Sequence, residues 1–195
     1  MSILGESQGY LCSSCLESIK PYHTVVYEPI PYVTSYKVFT LYEGATAEAL
    51  RLLKFKRVKP LAEFLGKCIS EDLLNFRKSV GADYLTFVPV HFFRKWKRGF
   101  DHNEEILKAC EGTFQYLILR RKNSKPLYLY GKEERFRRVA GAFYIPESVR
   151  SSVKGKDILV FDDILTTGAT ASSVANTLLS SGVNRVYFYF LCREK

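Results

Sequence analysis

Two adjacent carboxylates, Asp162 and Asp163, stand between an apolar run and a small, hydroxyl-rich loop, Thr166-Thr167-Gly168-Ala169-Thr170. Ahead of an alanine- and serine-rich helical pattern, such a loop brings backbone amides to a phosphate. Gly168 lets the backbone approach, the hydroxyls add donors, and the positive helix end favours an anion. The carboxylates cannot take that phosphate themselves; they accept hydrogen bonds from a sugar diol or hold a hydrated Mg²⁺. A ribose 5-phosphate fits both halves. The alternative, a surface Asp pair beside an ordinary helix start, leaves the ordered composite unexplained. A Walker B strand also ends in acids, but no Gly-Lys of this chain is followed by the Ser or Thr that its partner loop needs. A response-regulator receiver carries its acid pair near its beginning, whereas here the pair comes late in the chain.

A strand must deliver those acids. Residues 157–161 are short, apolar and partly β-branched, which predicts a strand buried on both faces of a parallel sheet. Asp162 and Asp163 are then expected at its C-terminal edge, where open α/β sheets bind ligands. Residues 84–88 predict a second buried strand, stopped by Pro89. The loop after it, from Val90 and His91 through Arg94, Lys95 and Arg98 to Phe100, falls at the same edge, with its basic residues placed to neutralise a pyrophosphate. Phe93, Trp96 and Phe100 read second as packing residues and third as a platform for stacked bases. Further strands are expected at 35–41, 115–119 and 185–191. Helices are expected from Ala45 to the Lys54-Phe55-Lys56-Arg57 cluster, after Pro60, from about Asp101, and over 172–181. The Lys54 to Lys59 cluster reads as a solvated helix end ahead of a phosphate contact. The basic stretch between Arg120 and Ala140 reads either as a lid over the strand-end pocket or as a plain basic loop. The alternation predicts a doubly wound α/β domain over 35–195 after an N-terminal segment, 1–34.

With 29 Lys and Arg against 20 Asp and Glu, a net charge of +9 favours an anionic partner: pyrophosphate, nucleic acid or a membrane surface. Solvated lysines give the same total. Without a long apolar run or a signal-peptide pattern, the expectation is a cytoplasmic protein with no membrane span. Five cysteines without an export signal argue against a disulfide framework. Cys68, Cys110 and Cys192 lie among apolar neighbours and read as core thiols. Cys12-Ser13-Ser14-Cys15 offers half of a tetrahedral zinc site. The other half is missing, His23 being the nearest substitute and Glu17 and Glu28 weaker ones. A metal-free knuckle is therefore read ahead of zinc bound by one chain, although two chains in a homodimer can pool their pairs.

Four apolar residues, Asp162-Asp163, two more apolar residues and Thr166-Thr167-Gly168-Ala169-Thr170 resemble the phosphoribosyl pyrophosphate (PRPP) motif of type I phosphoribosyltransferases. A narrower resemblance spans about residues 10 to 193. Tyr42-Glu43-Gly44, Leu53-Lys54-Phe55, Val88-Pro89-Val90, Arg98-Gly99-Phe100, Arg135 followed by Gly141-Ala142-Phe143, and the acid pair occur in the order seen in the ComF family of bacterial competence proteins. That resemblance implies a type I phosphoribosyltransferase sheet behind a four-cysteine zinc knuckle, and a role in uptake of transforming DNA. Together the readings put Mg²⁺-PRPP with its ribose hydroxyls on Asp162 and Asp163 and its 5-phosphate on residues 166–170. Its pyrophosphate then faces Val90, His91, Arg94, Lys95 and Arg98, with Arg135 in the lid. The chemistry is phosphoribosyl transfer to an acceptor that the sequence does not name, since His91 and His102 are both equivocal as a general base. The alternative is a non-catalytic PRPP sensor or single-stranded-DNA scaffold among competence-machinery proteins. The chain departs from the family pattern in lacking the first cysteine pair, in Asp101-His102 where Asn-Gln is usual, in His91 where Pro is common, and in Arg138 where Asn is usual.

Overall fold

The computed structural model describes residues 11–22, 28–121, 134, 137 and 139–194. Six strands are present among them: β1 (Ser35–Leu41), β2 (Tyr84–Phe87), β3 (Leu119–Arg120), β4 (Phe143–Tyr144), β5 (Asp157–Leu165) and β6 (Arg185–Arg193). β1, β6, β5 and β2 pair in that order as a parallel sheet, and β3 and β4 form a separate antiparallel ribbon. The helices are α1 (Ser13–Glu17), α2 (Gly44–Arg51), α3 (Pro60–Val80), α4 (Phe92–Arg98), α5 (His102–Lys108), α6 (Glu147–Val153) and α7 (Ala169–Leu179). A π-helical turn, Leu52–Lys56, continues α2.

The two-residue alternation of the central strands builds a core on each face of the sheet. Leu159 and Phe161 of β5 and Tyr187 and Tyr189 of β6 pack with Leu50, Leu53, Leu61, Leu65, Ile69 and Ile106 from α2, the π turn, α3 and α5. The intervening Ile158, Val160, Val186 and Phe188 pack with Val153 of α6 and with Val174 and Leu178 of α7. Leu16 and Ile19 from the N-terminal segment join the first cluster, and the Tyr22 amide donates to the Phe39 carbonyl at 2.6 Å.

α3 forms because Pro60 opens it and apolar residues recur at helical spacing along one side, while Gly81 ends it at a φ of 65°. Gly66 sets how closely α5 approaches. A Cβ there would run into the Ile106 carbonyl and lie 2.7 Å from the Ala109 Cβ.

Three expectations need correction. β5 does not end before the acid pair but runs through it to Leu165, because β6 continues to pair with it as far as Leu165 opposite Arg193. The segment 90–100 is not an open loop: α4 fills it, capped by the His91 side chain, which accepts from the Phe93 amide, and ended by Gly99 at φ 89°. Over 115–119 the chain touches β2 only around Gln115, whose amide donates to the Leu85 carbonyl at 2.8 Å, and strand geometry starts at Leu119 against β4. Among the described residues no helix is long and apolar enough to cross a membrane. Most of the basic stretch, including Arg135 and Arg138, lies outside them.

Candidate functional site

β2 stops at Phe87, opposite Phe161, so the acids follow directly beyond the end of that neighbour while β6 still holds their other side. Inside a strand, successive side chains leave on opposite faces, and the two acids have different partners. The Asp163 Oδ2 atom accepts from Lys54 Nζ and, at 2.7 Å, from His102 Nε2. The Asp162 Oδ1 atom accepts from Asn103 Nδ2 at 3.1 Å and from the Asp163 amide at 3.0 Å. Both carboxyls are buried. Burial opposes the charge on Asp163, but Lys54 and His102 outweigh it and hold this carboxyl well below the usual carboxylate range. Burial, followed by repulsion from Asp163, raises Asp162 to about 7. One acid is a fixed anion and the other sits at the edge of protonation.

The first turn of α5 supplies two of these contacts. Asp101 caps the helix, its Oδ1 accepting from the Asn103 amide at 3.0 Å, and its Oδ2 takes the Val90 amide at 2.8 Å, which ties the end of β2 to α5. His102 lies between Arg98 Nη1, 2.5 Å from its Nδ1, and Asp163. A guanidinium only donates, so Nδ1 is the unprotonated nitrogen and Nε2 donates its proton to Asp163. Burial first lowers the His102 pKa, keeping the ring neutral. Asn103 Nδ2 also donates to the Val88 carbonyl at 2.9 Å, which fixes the orientation of the amide and leaves its buried Oδ1 without a hydrogen-bond partner.

Three cations stand by the pair: besides Lys54 and Arg98, Arg120 lies close enough to Asp162 to interact electrostatically, and Arg94 lies beside Arg98 and Arg120. Burial first, then Arg94, pushes Arg120 down to about 10, and Asp162 opposes the shift. Sequence reading missed the placement of Lys54, Asn103 and Arg120. Lys54 was visible only as part of a basic helix end, and the π turn that directs it inward leaves no composition signal. His102 was visible, but not its role.

Of the remaining candidates, Lys95 is committed to Glu104 at 2.8 Å rather than to the acid pair. The Val90 amide is taken by Asp101, as above. His91 is a buried capping residue: its Nδ1 accepts from the Phe93 amide and its Nε2 meets the Arg121 carbonyl at 3.2 Å, so it is not poised as a base. After β5, Thr166, Thr167 and Gly168 turn the chain into α7. Gly168 has a φ of 74°, and a Cβ on it would lie 3.1 Å from Ile30, so both conformation and space require glycine. No side chain caps α7, which opens at Ala169 and Thr170, and the Thr167 Oγ1 is buried without a partner. A groove of about 460 Å³ is lined by Ala169, Ser172 and Asn176 of α7 and by Arg121 and Tyr144. A second, of about 1250 Å³, runs along α3 past Ser70 and Arg77. Neither is lined by Asp162 or Asp163.

Phe92, Phe93 and Trp96 on α4 are 68%, 60% and 76% exposed, which overturns the packing reading for Phe93 and Trp96; Phe100 is buried. Cys12 and Cys15 stand at the start of α1, where a hydrogen bond to Ser14, then one to Cys15, lowers Cys12 to about 7. Among the described residues no three His, Cys, Asp or Glu side chains stand together as a group that could hold a metal ion. His23 lies outside the described residues.

No family model matches the chain. DNA utilization protein YhgH of Escherichia coli K12 is 24% identical over 193 residues, covering 93% of this chain and 77% of that protein. The YhgH of Salmonella typhi is 25% identical, with the same coverage. Competence protein ComFC of Streptococcus pneumoniae R6 is 26% identical over 161 residues, 82% of this chain and 68% of that protein. Over most of its length the chain is similar to these DNA utilization and competence proteins. At the two positions that depart from the motif named above, Asp101 caps α5 and His102 joins Arg98 to Asp163.

Proposed function

We propose that this chain is a ComF-family protein that binds PRPP and works in DNA uptake or utilization, with Mg²⁺-dependent phosphoribosyl transfer as its chemistry. The observation that carries the reading is a pair of buried adjacent acids amid Lys54, Arg98 and Arg120, directly before a glycine-led helix start with no side-chain cap. The amides opening α7 take the 5-phosphate, helped by Thr166, Thr167 and Thr170. Ribose hydroxyls donate to Asp162 and Asp163. As the bond from the anomeric carbon to pyrophosphate breaks, the carbon becomes positive and the leaving group negative. The acids stabilise the first charge and the cations the second. Mg²⁺, which would accompany the pyrophosphate, would neutralise part of its charge. The names of the relatives, DNA utilization and competence, supply the cellular setting. Isothermal titration of Mg²⁺-PRPP into wild type and into the double variant Asp162→Asn, Asp163→Asn tests the reading. Binding in the wild type and loss in the variant are expected, and equal binding in both rejects the site.

One observation favours a second reading, a single-stranded-DNA contact. Phe92, Phe93 and Trp96 stand exposed on α4 among Arg94, Lys95 and Lys97, which combines stacking surfaces with charge for the phosphate backbone. Fluorescence anisotropy with an oligothymidine strand at low salt decides it; absence of binding there rules out direct contact.

A further inference from the structure

We infer that Lys54 is a ligand-binding residue of this site, held on Asp163 until a pyrophosphate anion enters, and that the anion takes Lys54 while Asp163 turns to the sugar. The inference deepens the PRPP reading, on which the sugar half of the exchange rests. Lys54 comes from the π-helical turn Leu52–Lys56, which ends at Arg57 with a φ of 62°, a left-handed conformation that costs a side-chain-bearing residue energy. An extra residue in one helical turn re-aims what it carries, and such turns mark functional sites in many helices. Here the turn delivers an ammonium into the sheet edge, against Asp163, with only 18% of its side chain exposed.

The same Asp163 Oδ2 atom is engaged by His102, whose other nitrogen is pinned by Arg98. A sugar hydroxyl approaching that oxygen must displace a partner. His102 is clamped between α4 and β5, whereas Lys54 sits on a flexible four-carbon stem and has no second ion pair among the described residues. Lys54 is therefore the partner that leaves. Moving it alone would leave two buried charges unmatched. A pyrophosphate arriving with the sugar removes that obstacle by matching the ammonium as the hydroxyl matches the carboxylate. The two ends of the ligand thus assist each other, and Lys54 makes the site select a sugar that carries an anionic leaving group.

The test is isothermal titration of the full chain with two separate probes, Mg²⁺-pyrophosphate and ribose 5-phosphate, alongside Mg²⁺-PRPP. Lys54→Met is expected to weaken pyrophosphate binding by about tenfold or more, the size of one lost charge-assisted contact. It should leave ribose 5-phosphate as tight as in wild type or tighter, since Asp163 is freed; Lys54→Arg should retain most of the pyrophosphate affinity. Asp163→Asn, which releases Lys54 without removing it, should bind pyrophosphate more tightly than wild type. Equal loss of both probes in Lys54→Met, or unchanged pyrophosphate binding, overturns the inference and makes Lys54 a structural counter-ion. Should Lys54→Met fail to fold, Asp163→Asn decides, and no gain in pyrophosphate affinity overturns it. A wild type that binds pyrophosphate through Lys54 but neither ribose 5-phosphate nor PRPP keeps the anion site and rejects the sugar reading. PRPP binding that is indifferent to Lys54→Met rejects only this inference, and a wild type that binds none of the three probes rejects both.

Discussion

Asp162 and Asp163 share a strand and are both buried, yet their neighbours drive them in opposite directions, and that difference is measurable. Asp162, raised to about 7, contributes its stability fully below the unfolded value near 4 and loses it as pH rises through 7. Asn does not titrate. Asp162→Asn should therefore gain on wild type between about pH 4 and 7, by roughly 2 kcal/mol, and hold that gain above about pH 8. Urea melts at pH 5 and pH 8 check this; an equal difference at both pH values contradicts it. Asp163 runs the other way: its depressed carboxyl contributes stability above the unfolded value, lost as pH falls through the folded one. The acids themselves were legible in the sequence because type and spacing alone carry that signal. Their partners were not. His102 and Asn103 lie 61 and 59 residues away from the acids they touch, and Arg120 is half-buried among ring and charge neighbours that the β3–β4 ribbon brings together.

At the scale of elements, periodicity served well where burial imposes it. β1, β2 and α3 follow the expected patterns because each has apolar residues placed to be buried, and α3 has a proline at its start and a glycine at its end. It failed where tertiary pairing overrides propensity. Two aspartates are poor strand residues, but β6 pairs with β5 on past them, so the acids lie within a strand. The α4 segment misled for another reason: with its aromatic residues exposed it has no buried stripe to announce a helix, and its caps hold it instead. α5 depends on α3 for its position, through Gly66. Gly66→Ala would force the helices apart, since the new Cβ meets the backbone carbonyl of Ile106. A loss of ~2 kcal/mol is expected. Because α5 carries His102 and Asn103, pyrophosphate and PRPP affinity should fall with the melting temperature. A variant that melts like wild type shows that the contact yields without cost.

Over the whole molecule, a net charge of +9 is divided between two settings that salt separates. Lys54, Arg98 and Arg120 act in a buried site beside Asp162 and Asp163, where counter-ions penetrate poorly. On α4, Lys97 and the exposed rings of Phe92, Phe93 and Trp96 face solvent. Binding of a DNA strand there releases counter-ions, so its affinity falls steeply with salt, whereas stacking on the rings does not depend on charge. Raising salt from about 50 to about 200 mM should weaken an oligothymidine strand by about tenfold or more. Over the same range Mg²⁺-PRPP should weaken by much less. Trp96→Ala should cost the strand roughly 1–3 kcal/mol, the worth of one stacked base, with no change in melting temperature because the ring is exposed. Anisotropy and isothermal titration on the same samples compare the two slopes. Parallel slopes would place both ligands on one surface, and a Trp96→Ala variant that keeps its strand affinity would remove α4 from the DNA contact.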